Sequence, residues 1–181
     1  MDINQPLKKY LTSKSDQVLS NAGYNTNSIT LKHLLSHTSG IRDYVDEGYF
    51  KFIGEHPQHA WTRGGDHRAA GLGKPLSNPG EGFHYADINF VLLTEVIESV
   101  THQPYYKNDE KTAGLQKARF ESYPVCKFEN ALENTAPQTH QYWDQFGWDT
   151  YNLDPSWDLY GGGGIVTNVK EMAIFSTTFW W

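Results

Sequence analysis

The sequence predicts a mainly α-helical fold with long irregular loops. The run from Ile88 to Val100 is apolar on nearly every face, which is typical of a buried helix. Shorter helical patterns lie before and after it, and they are separated by stretches rich in Gly, His, Asp and aromatic residues that have no sustained periodicity. A length of 181 residues suits one domain, which we assign to residues 1–181.

The first 28 residues are polar and give a weak signal. Leu7 and Leu11 have helical spacing, and a run rich in Ser and Asn follows them, so we predict a short helix followed by a loop.

The next segment gives a stronger helical signal. Leu31, Leu34 and Leu35 form the apolar face of a short helix at spacings i, i+3 and i+4. Thr30 is a plausible N-cap, and Gly40 is well placed to end the helix.

Residues 42–78 are predicted to be irregular, with one short helix at Tyr49 to Ile53. We predict that Asp87 is the N-cap of the buried helix at 88–100. Residues 101–157 again resemble loop, and the capping-box spacing of Asn168 and Glu171 predicts the start of a last helix.

Composition excludes several classes of function. The net charge is -6 and the basic residues are scattered, so nucleic acid is not an expected partner. A single cysteine, Cys126, allows no internal disulfide and no thiolate metal cage. His33 and His37 have the i, i+4 spacing of two metal ligands, but no glutamate follows the first histidine and no third ligand has a recognisable spacing, so no metal is expected.

No stretch of the sequence has the length and hydropathy of a membrane span, and the polar start does not resemble a signal peptide. As written, the chain is expected to be cytoplasmic.

Three motifs carry a family resemblance. Residues Ile29 to Ile41 read Ile-Thr-Leu-Lys-His-Leu-Leu-Ser-His-Thr-Ser-Gly-Ile, residues Pro79 to Asp87 read Pro-Gly-Glu-Gly-Phe-His-Tyr-Ala-Asp, and residues Asp158 to Thr167 contain four glycines before a helix. In this order they resemble the β-lactamase-related serine hydrolases, which include class C β-lactamases, penicillin-binding proteins, D-alanyl-D-alanine carboxypeptidases and esterases.

The resemblance runs from about residue 2 to the end and implies a site. Tyr85 matches the tyrosine of the family's Tyr-x-Asn motif and is the implied catalytic residue, and Asp87 is the implied substrate contact. The implied partner is a small-molecule or peptide substrate, namely a β-lactam, a D-Ala-D-Ala peptide or an ester, and no cofactor is implied. The implied fold is the helical region of the β-lactamase/transpeptidase-like α+β fold, with most of the sheet missing; family members are often exported.

Two family motifs are absent from residues 1–181. The nucleophilic serine of the family is followed three residues later by lysine, and no Ser-x-x-Lys occurs in this chain; the Lys/His-x-Gly motif is also absent. We therefore expect a fragment of a serine hydrolase with negligible activity as an isolated chain. A non-catalytic module that binds peptides or peptidoglycan, and a truncated gene product without function, are the alternatives.

Other candidates have simpler interpretations. Ser36 and Ser39 lie outside any Gly-x-Ser-x-Gly motif, so the Thr-Ser-Gly segment is expected to be structural. The glycines at 161–164 lack the Gly-Lys-Ser/Thr of a phosphate loop and are expected to allow close backbone packing. The aromatic residues between 142 and 160 are expected to pack beneath loops, with a peptide or sugar groove as the alternative.

Overall fold

The computed structural model describes residues 1–63, 72–107 and 137–179. The α-helices in these ranges are α1 (Ser13–Asn21), α2 (Leu31–Leu35), α3 (Glu47–Glu55), α4 (Asp87–Thr101) and α5 (Val169–Phe179). Strands β1 (Tyr142–Trp143) and β2 (Trp148–Asp149) form an antiparallel hairpin. Single 3-10 turns lie at Leu7–Lys9, Tyr105–Lys107, Thr150–Asn152 and Pro155–Asp158. The regular structure of the described residues is thus mainly helical, and long irregular segments connect it.

Helix α4 is the central element of the core. Ile88, Val91, Leu92 and Val96 are each no more than 5% exposed, and the helix packs against α2. Burying a side chain of this size contributes about 1.5–3 kcal/mol. The prediction of a helix here is confirmed, although burial covers one side only, because Phe90 on the other side is 37% exposed.

The predicted N-cap of α4 is wrong. Asp87 is the first residue of the helix, and the N-cap position belongs to Ala86, which has no side-chain acceptor. The carboxylate of Asp43 supplies the acceptor instead, since its Oδ2 receives the Asp87 N–H at 3.2 Å while its Oδ1 receives the Tyr44 N–H at 2.9 Å. Burial raises the pKa of Asp43, and these backbone hydrogen bonds partly oppose that rise.

Helix α1 lies where a loop was predicted, and the predicted helix at Leu7 is only a 3-10 turn. Thr12 caps α1 by accepting the Ser15 N–H at 3.2 Å. The carboxylate of Glu95 in α4 accepts the Ser15 hydroxyl at 2.8 Å as well as the Thr12 N–H. Leu19 is the buried residue of α1. A largely polar helix held by one buried leucine and a distant carboxylate has no strong apolar period, so the sequence pattern missed it.

Helix α2 begins as predicted and ends earlier. Thr30 accepts the His33 N–H at 3.3 Å, and Nδ1 of the His33 ring accepts the Thr30 N–H at 3.2 Å. The helix ends at Leu35, and His37 rather than Gly40 takes the first left-handed conformation, with φ of 53°. Gly40 has another role, described below, and the prediction that it ends the helix is wrong.

The remaining helix predictions are confirmed with changed limits. The helix predicted at 49–53 extends over α3 and is capped by Asp46, which accepts the Tyr49 N–H at 2.8 Å. Asn168 caps α5 by accepting the Glu171 N–H at 3.0 Å, but the Glu171 carboxylate bonds to Thr167.

Within the described ranges, none of the helices combines the length and the apolar character needed to cross a membrane. Cys126 lies outside the described residues.

Replacing Asp43 tests the distant cap of α4. We expect Asp43→Ala to lower the free energy of unfolding by about 1 kcal/mol, because the Asp87 N–H loses its acceptor. Asp43→Asn keeps an acceptor oxygen and should be much less destabilising at neutral pH.

Because the folded-state pKa of Asp43 is raised, its contribution to stability is largest below the unfolded value of 3.8 and falls as pH rises through the folded pKa. Urea unfolding of the three proteins at pH 4 and pH 7 measures both effects; equal losses in both variants would contradict the cap.

Apolar side chains are exposed around the start of α5. Val169 is 90% exposed, Ile165 is 58% exposed and Met172 is 49% exposed. Exposed apolar patches of this kind promote association, so we expect the purified chain to bind a hydrophobic dye and to self-associate. Val169→Lys and Met172→Lys should reduce both signals. A monomeric wild-type chain with no dye binding and a sharp thermal transition would contradict this expectation.

Candidate active-site cleft

We name the Thr-Ser-Gly segment that follows α2 the platform, because it supports the chain that leads to Tyr85. The surface around Tyr85 is here named the cleft. Its backbone carbonyls at His37, Thr38 and Gly40 accept hydrogen bonds from residues 84, 80 and 76, at 2.9, 2.8 and 2.9 Å respectively. Gly40 has φ of +75°, and a Cβ at this position would lie 2.1 Å from the carbonyl oxygen of Ser77. Only glycine therefore allows residues 76–84 to lie against this segment and to lead the chain to Tyr85.

A buried polar network fixes the platform to α4. Asn89 is fully buried; its Oδ1 accepts the Ser39 hydroxyl at 2.6 Å, and its Nδ2 lies 3.2 Å from Nδ1 of His37. The N–H of Ala86 also points at Nδ1 of His37, at 3.3 Å. Since Nδ1 acts as an acceptor, we assign the proton of this imidazole to Nε2. The Ser39 hydroxyl is enclosed and bonded, in agreement with its predicted structural role.

Tyr85 stands at the rim of the cleft. Its side chain is 65% exposed, and its ring lies on the His37 imidazole with 4.5 Å between centroids. Phe90 packs on the same imidazole at 5.2 Å. The Tyr85 hydroxyl donates a hydrogen bond to Oδ1 of Asp87 at 2.9 Å. The two residues that the motif singled out therefore contact each other directly.

The charges around Tyr85 favour its neutral form. The hydrogen bond to Asp87 and the charge of that carboxylate raise the pKa of Tyr85 above 10.0, and partial burial and the charges of Asp43 and Asp158 add to the rise. This phenol is therefore harder to ionise than a free tyrosine. In this arrangement it is a hydrogen-bond donor at neutral pH.

The glycine-rich segment brings a further carboxylate to the cleft. Gly161 has φ of +104°, and a Cβ there would lie 2.6 Å from the Phe90 carbonyl oxygen, so close backbone packing is confirmed. A Cβ at Gly163 would meet the Asp158 carboxylate at 2.4 Å, and one at Gly162 would lie 3.9 Å from Cγ of Asp87. Small residues at these positions let the segment lie beside the carboxylates of Asp158 and Asp87. These negative charges would repel a phosphate group.

Two surface grooves adjoin at Asp46. The first, here named the tyrosine groove, has a volume of about 540 Å³. It is lined by Arg42, Asp43, Val45, Asp46, Leu76, Phe83, His84 and Tyr85. The second, here named the aromatic groove, has a volume of about 650 Å³ and lies between α3 and the β1–β2 hairpin, with Asp46 also in its lining.

The aromatic residues between 142 and 160 divide between the two predicted roles. Trp157 and Tyr160 pack against the main core, as expected for residues beneath loops. Trp143, Phe146 and Trp148 are half-buried and line the aromatic groove. These three rings thus line a groove, Trp148 also packs against the core, and the binding of a peptide or sugar there stays a prediction.

The two histidines with metal-ligand spacing have other partners. Nδ1 of His33 accepts the Thr30 N–H, and Nδ1 of His37 accepts the Ala86 N–H. In the described ranges no three His, Cys, Asp or Glu side chains are grouped so as to hold a metal ion.

Tyr85 and Asp87 are predicted from one motif, whereas the residues that position them are not. Asp43 lies 44 residues from the N–H group it accepts, and no local pattern marks such a contact. Asn89 gave a usable signal, since a polar residue in an almost wholly apolar helix needs hydrogen-bond partners when it is buried.

Known structures with the same fold extend beyond this chain. A D-stereospecific amidohydrolase from a Streptomyces species is 25% identical with a TM-score of 0.77, and the match covers 97% of this chain and 52% of that one. A penicillin-binding protein from Bacillus halodurans is 21% identical (TM-score 0.66; 98% and 52% covered). A D-amino acid amidase from Ochrobactrum anthropi SV3 is 18% identical (TM-score 0.68; 96% and 47% covered). The chain thus spans about half the length of these proteins.

No curated protein sequence matched the chain. The sequence model of the Beta-lactamase family matches residues 1–179, which is nearly the whole sequence. With the three motifs in order and the fold shared with an amidohydrolase and a penicillin-binding protein, the chain belongs to the beta-lactamase family.

Proposed function

We propose that this chain forms the tyrosine side of the cleft of a serine hydrolase that transfers acyl groups from amides, β-lactams or esters. The observation that carries the proposal is the position of Tyr85, which is exposed at a groove and held between His37 and Asp87. A residue that served packing alone would be expected to bury its ring, whereas this hydroxyl is open to a ligand.

The comparisons support a substrate with a D-configured amino acid. The amidohydrolase is named for its D-stereospecificity, and the amidase for its D-amino acid substrates. D-amino acid amides, D-Ala-D-Ala peptides and β-lactams share an acyl carbon that a serine attacks. We infer this substrate class for the complete hydrolase, with Asp87 in contact with a substrate N–H group.

The reaction needs groups that residues 1–181 do not supply. A serine hydroxyl must lose its proton as it attacks, and a phenol with a raised pKa cannot take that proton at neutral pH. Lysine ammonium groups beside Tyr85 and Asp87 would offset the carboxylates and lower the pKa of the phenol. In the proposed hydrolase the Ser-x-x-Lys and Lys/His-x-Gly segments have this role, so the isolated chain is inactive.

A non-catalytic module that binds peptides is the second candidate. Its specific support is the hydrogen bond from Tyr85 to Asp87, which keeps the phenol a donor and leaves the carboxylate able to accept N–H groups of a peptide.

The first experiment tests by covalent labelling whether the isolated chain contains a reactive nucleophile. The purified chain is treated with a fluorescent penicillin and with a fluorophosphonate, and mass spectrometry locates any adduct. We expect no adduct, because no serine has an activating lysine in the family's spacing. A stable adduct on one serine would show that an unrecognised nucleophile is present.

A chimera tests the proposed role of Tyr85 directly. Residues 1–179 replace the matching half of the Streptomyces amidohydrolase, which supplies the remaining segments. We expect hydrolysis of a D-amino acid amide, with Tyr85→Phe lowering kcat by about 100-fold or more because the phenol takes part in proton transfer. Tyr151→Phe, at an exposed tyrosine outside the tyrosine groove, is the control. A folded chimera without activity would favour the binding module, whereas a Tyr85→Phe chimera as active as its parent would contradict the role of the phenol in proton transfer.

The pKa of Tyr85 gives a test in the isolated chain. Carbon-13 NMR of tyrosine Cζ, assigned with Tyr85→Phe, should show this phenol titrating above 10.0. Asp87→Asn should lower its pKa, because the charge is removed while an acceptor oxygen remains. An unchanged titration in Asp87→Asn would mean that the carboxylate does not govern the phenol.

A further inference from the structure

The aromatic groove combines ring surface with negative charge. Phe50 of α3 and Trp143, Phe146 and Trp148 of the hairpin form its apolar wall. Neighbouring ring centroids lie 4.7 to 5.1 Å apart between Phe146 and Trp148 and between Phe50 and Trp143. All four side chains are half-buried, so each keeps part of its ring at the surface.

The backbone of α3 helps to place the indole of Trp148. A Cβ at Gly54 would lie 3.2 Å from Cζ2 of Trp148, so the absence of a side chain lets the indole lie close to the helix. The hairpin has two residue pairs in register, and further backbone hydrogen bonds close its turn and its open end. Its aromatic side chains also contact Phe50 of α3, and the groove lies along that contact.

Carboxylates outnumber ammonium groups around this wall. Asp46, Glu47 and Glu55 line the groove, together with Lys51. Lys51 is paired with Glu55 at 3.9 Å, while Asp46 caps α3 with Oδ1 and Glu47 has no ion pair among the described residues. The negative side chains are therefore only partly neutralised within the groove.

We propose that the aromatic groove binds an organic cation with an apolar body, such as an alkylammonium group. Aromatic faces attract cations through the quadrupole of the ring, and the interaction is strongest with tryptophan. The carboxylates at the rim add attraction for positive charge and disfavour anions. A neutral ligand of the same shape would keep the contact with the rings but would not be attracted by the carboxylates.

The adjacency of the grooves adds a consequence for the proposed hydrolase. Asp46 lines both the aromatic groove and the tyrosine groove, so a cation in the first lies next to a ligand in the second. A substrate with a cationic side chain would span the two. This consequence rests on the proposed function, whereas the binding of the cation does not.

Choline and 3,3-dimethyl-1-butanol test the proposal, because they have the same shape and differ in charge. The full chain is titrated with each, and the indole N–H signals of Trp143 and Trp148, assigned with Trp→Phe variants, report binding by NMR. We expect choline to give saturable shifts at both indoles with a Kd at least about tenfold lower than that of the neutral alcohol. Equal shifts with the alcohol, or no saturable shift with choline at tens of millimolar, would overturn the proposal.

Two charge variants are expected to change the Kd of choline in opposite directions. Glu47→Gln should raise the Kd of choline severalfold, and Lys51→Gln should lower it, because each changes the charge of the rim and leaves the rings in place. Asp2→Asn, an equal change of charge at the N-terminus, is the control and should leave the Kd unchanged. Since no hydrolysis is measured, these results stand whether or not the labelling and chimera experiments support the proposed hydrolase.

Discussion

The hydrogen bonds of buried Asn89 are the interaction on which the cleft depends. Its amide joins Ser39 and His37, which follow α2, to the first turn of α4. Leaving a buried amide without partners costs about 1–3 kcal/mol, so the three residues hold one another in place. These hydrogen bonds also fix the position of Tyr85, because its ring packs on the His37 imidazole.

The helical parts of the fold were predictable to the extent that they repeat an apolar period. Helix α4 satisfied this condition, and Thr30 and Asn168 marked helix starts because a cap acts within three residues. Contacts across many residues gave no local pattern. The cap from Asp43 and the link from Glu95 to Ser15 join residues 44 and 80 positions apart, and this is why the N-cap of α4 was assigned to Asp87 and α1 was missed.

The candidate site was also predictable only where its residues are close in sequence. Tyr85 and Asp87 are two positions apart in one motif, so sequence alone brought them together. The electrostatic environment of the Tyr85 phenol could not be predicted, because Asp43, Asp87 and Asp158 come from three separate segments of the chain. A groove among the aromatic residues 142–160 was one of two alternatives from the sequence, but the part of Phe50 was not predictable, since Phe50 and Trp143 meet only when the hairpin packs on α3.

The acidic surroundings of Tyr85 oppose its use as a base. A phenol serves as a base only where cations stabilise its ionised form, and the described residues place carboxylates beside it. Asparagine, which is common in the family at the position of Asp87, would carry no charge and would leave the phenol easier to ionise. Asp87 therefore makes this cleft more dependent on added cations than a Tyr-x-Asn cleft.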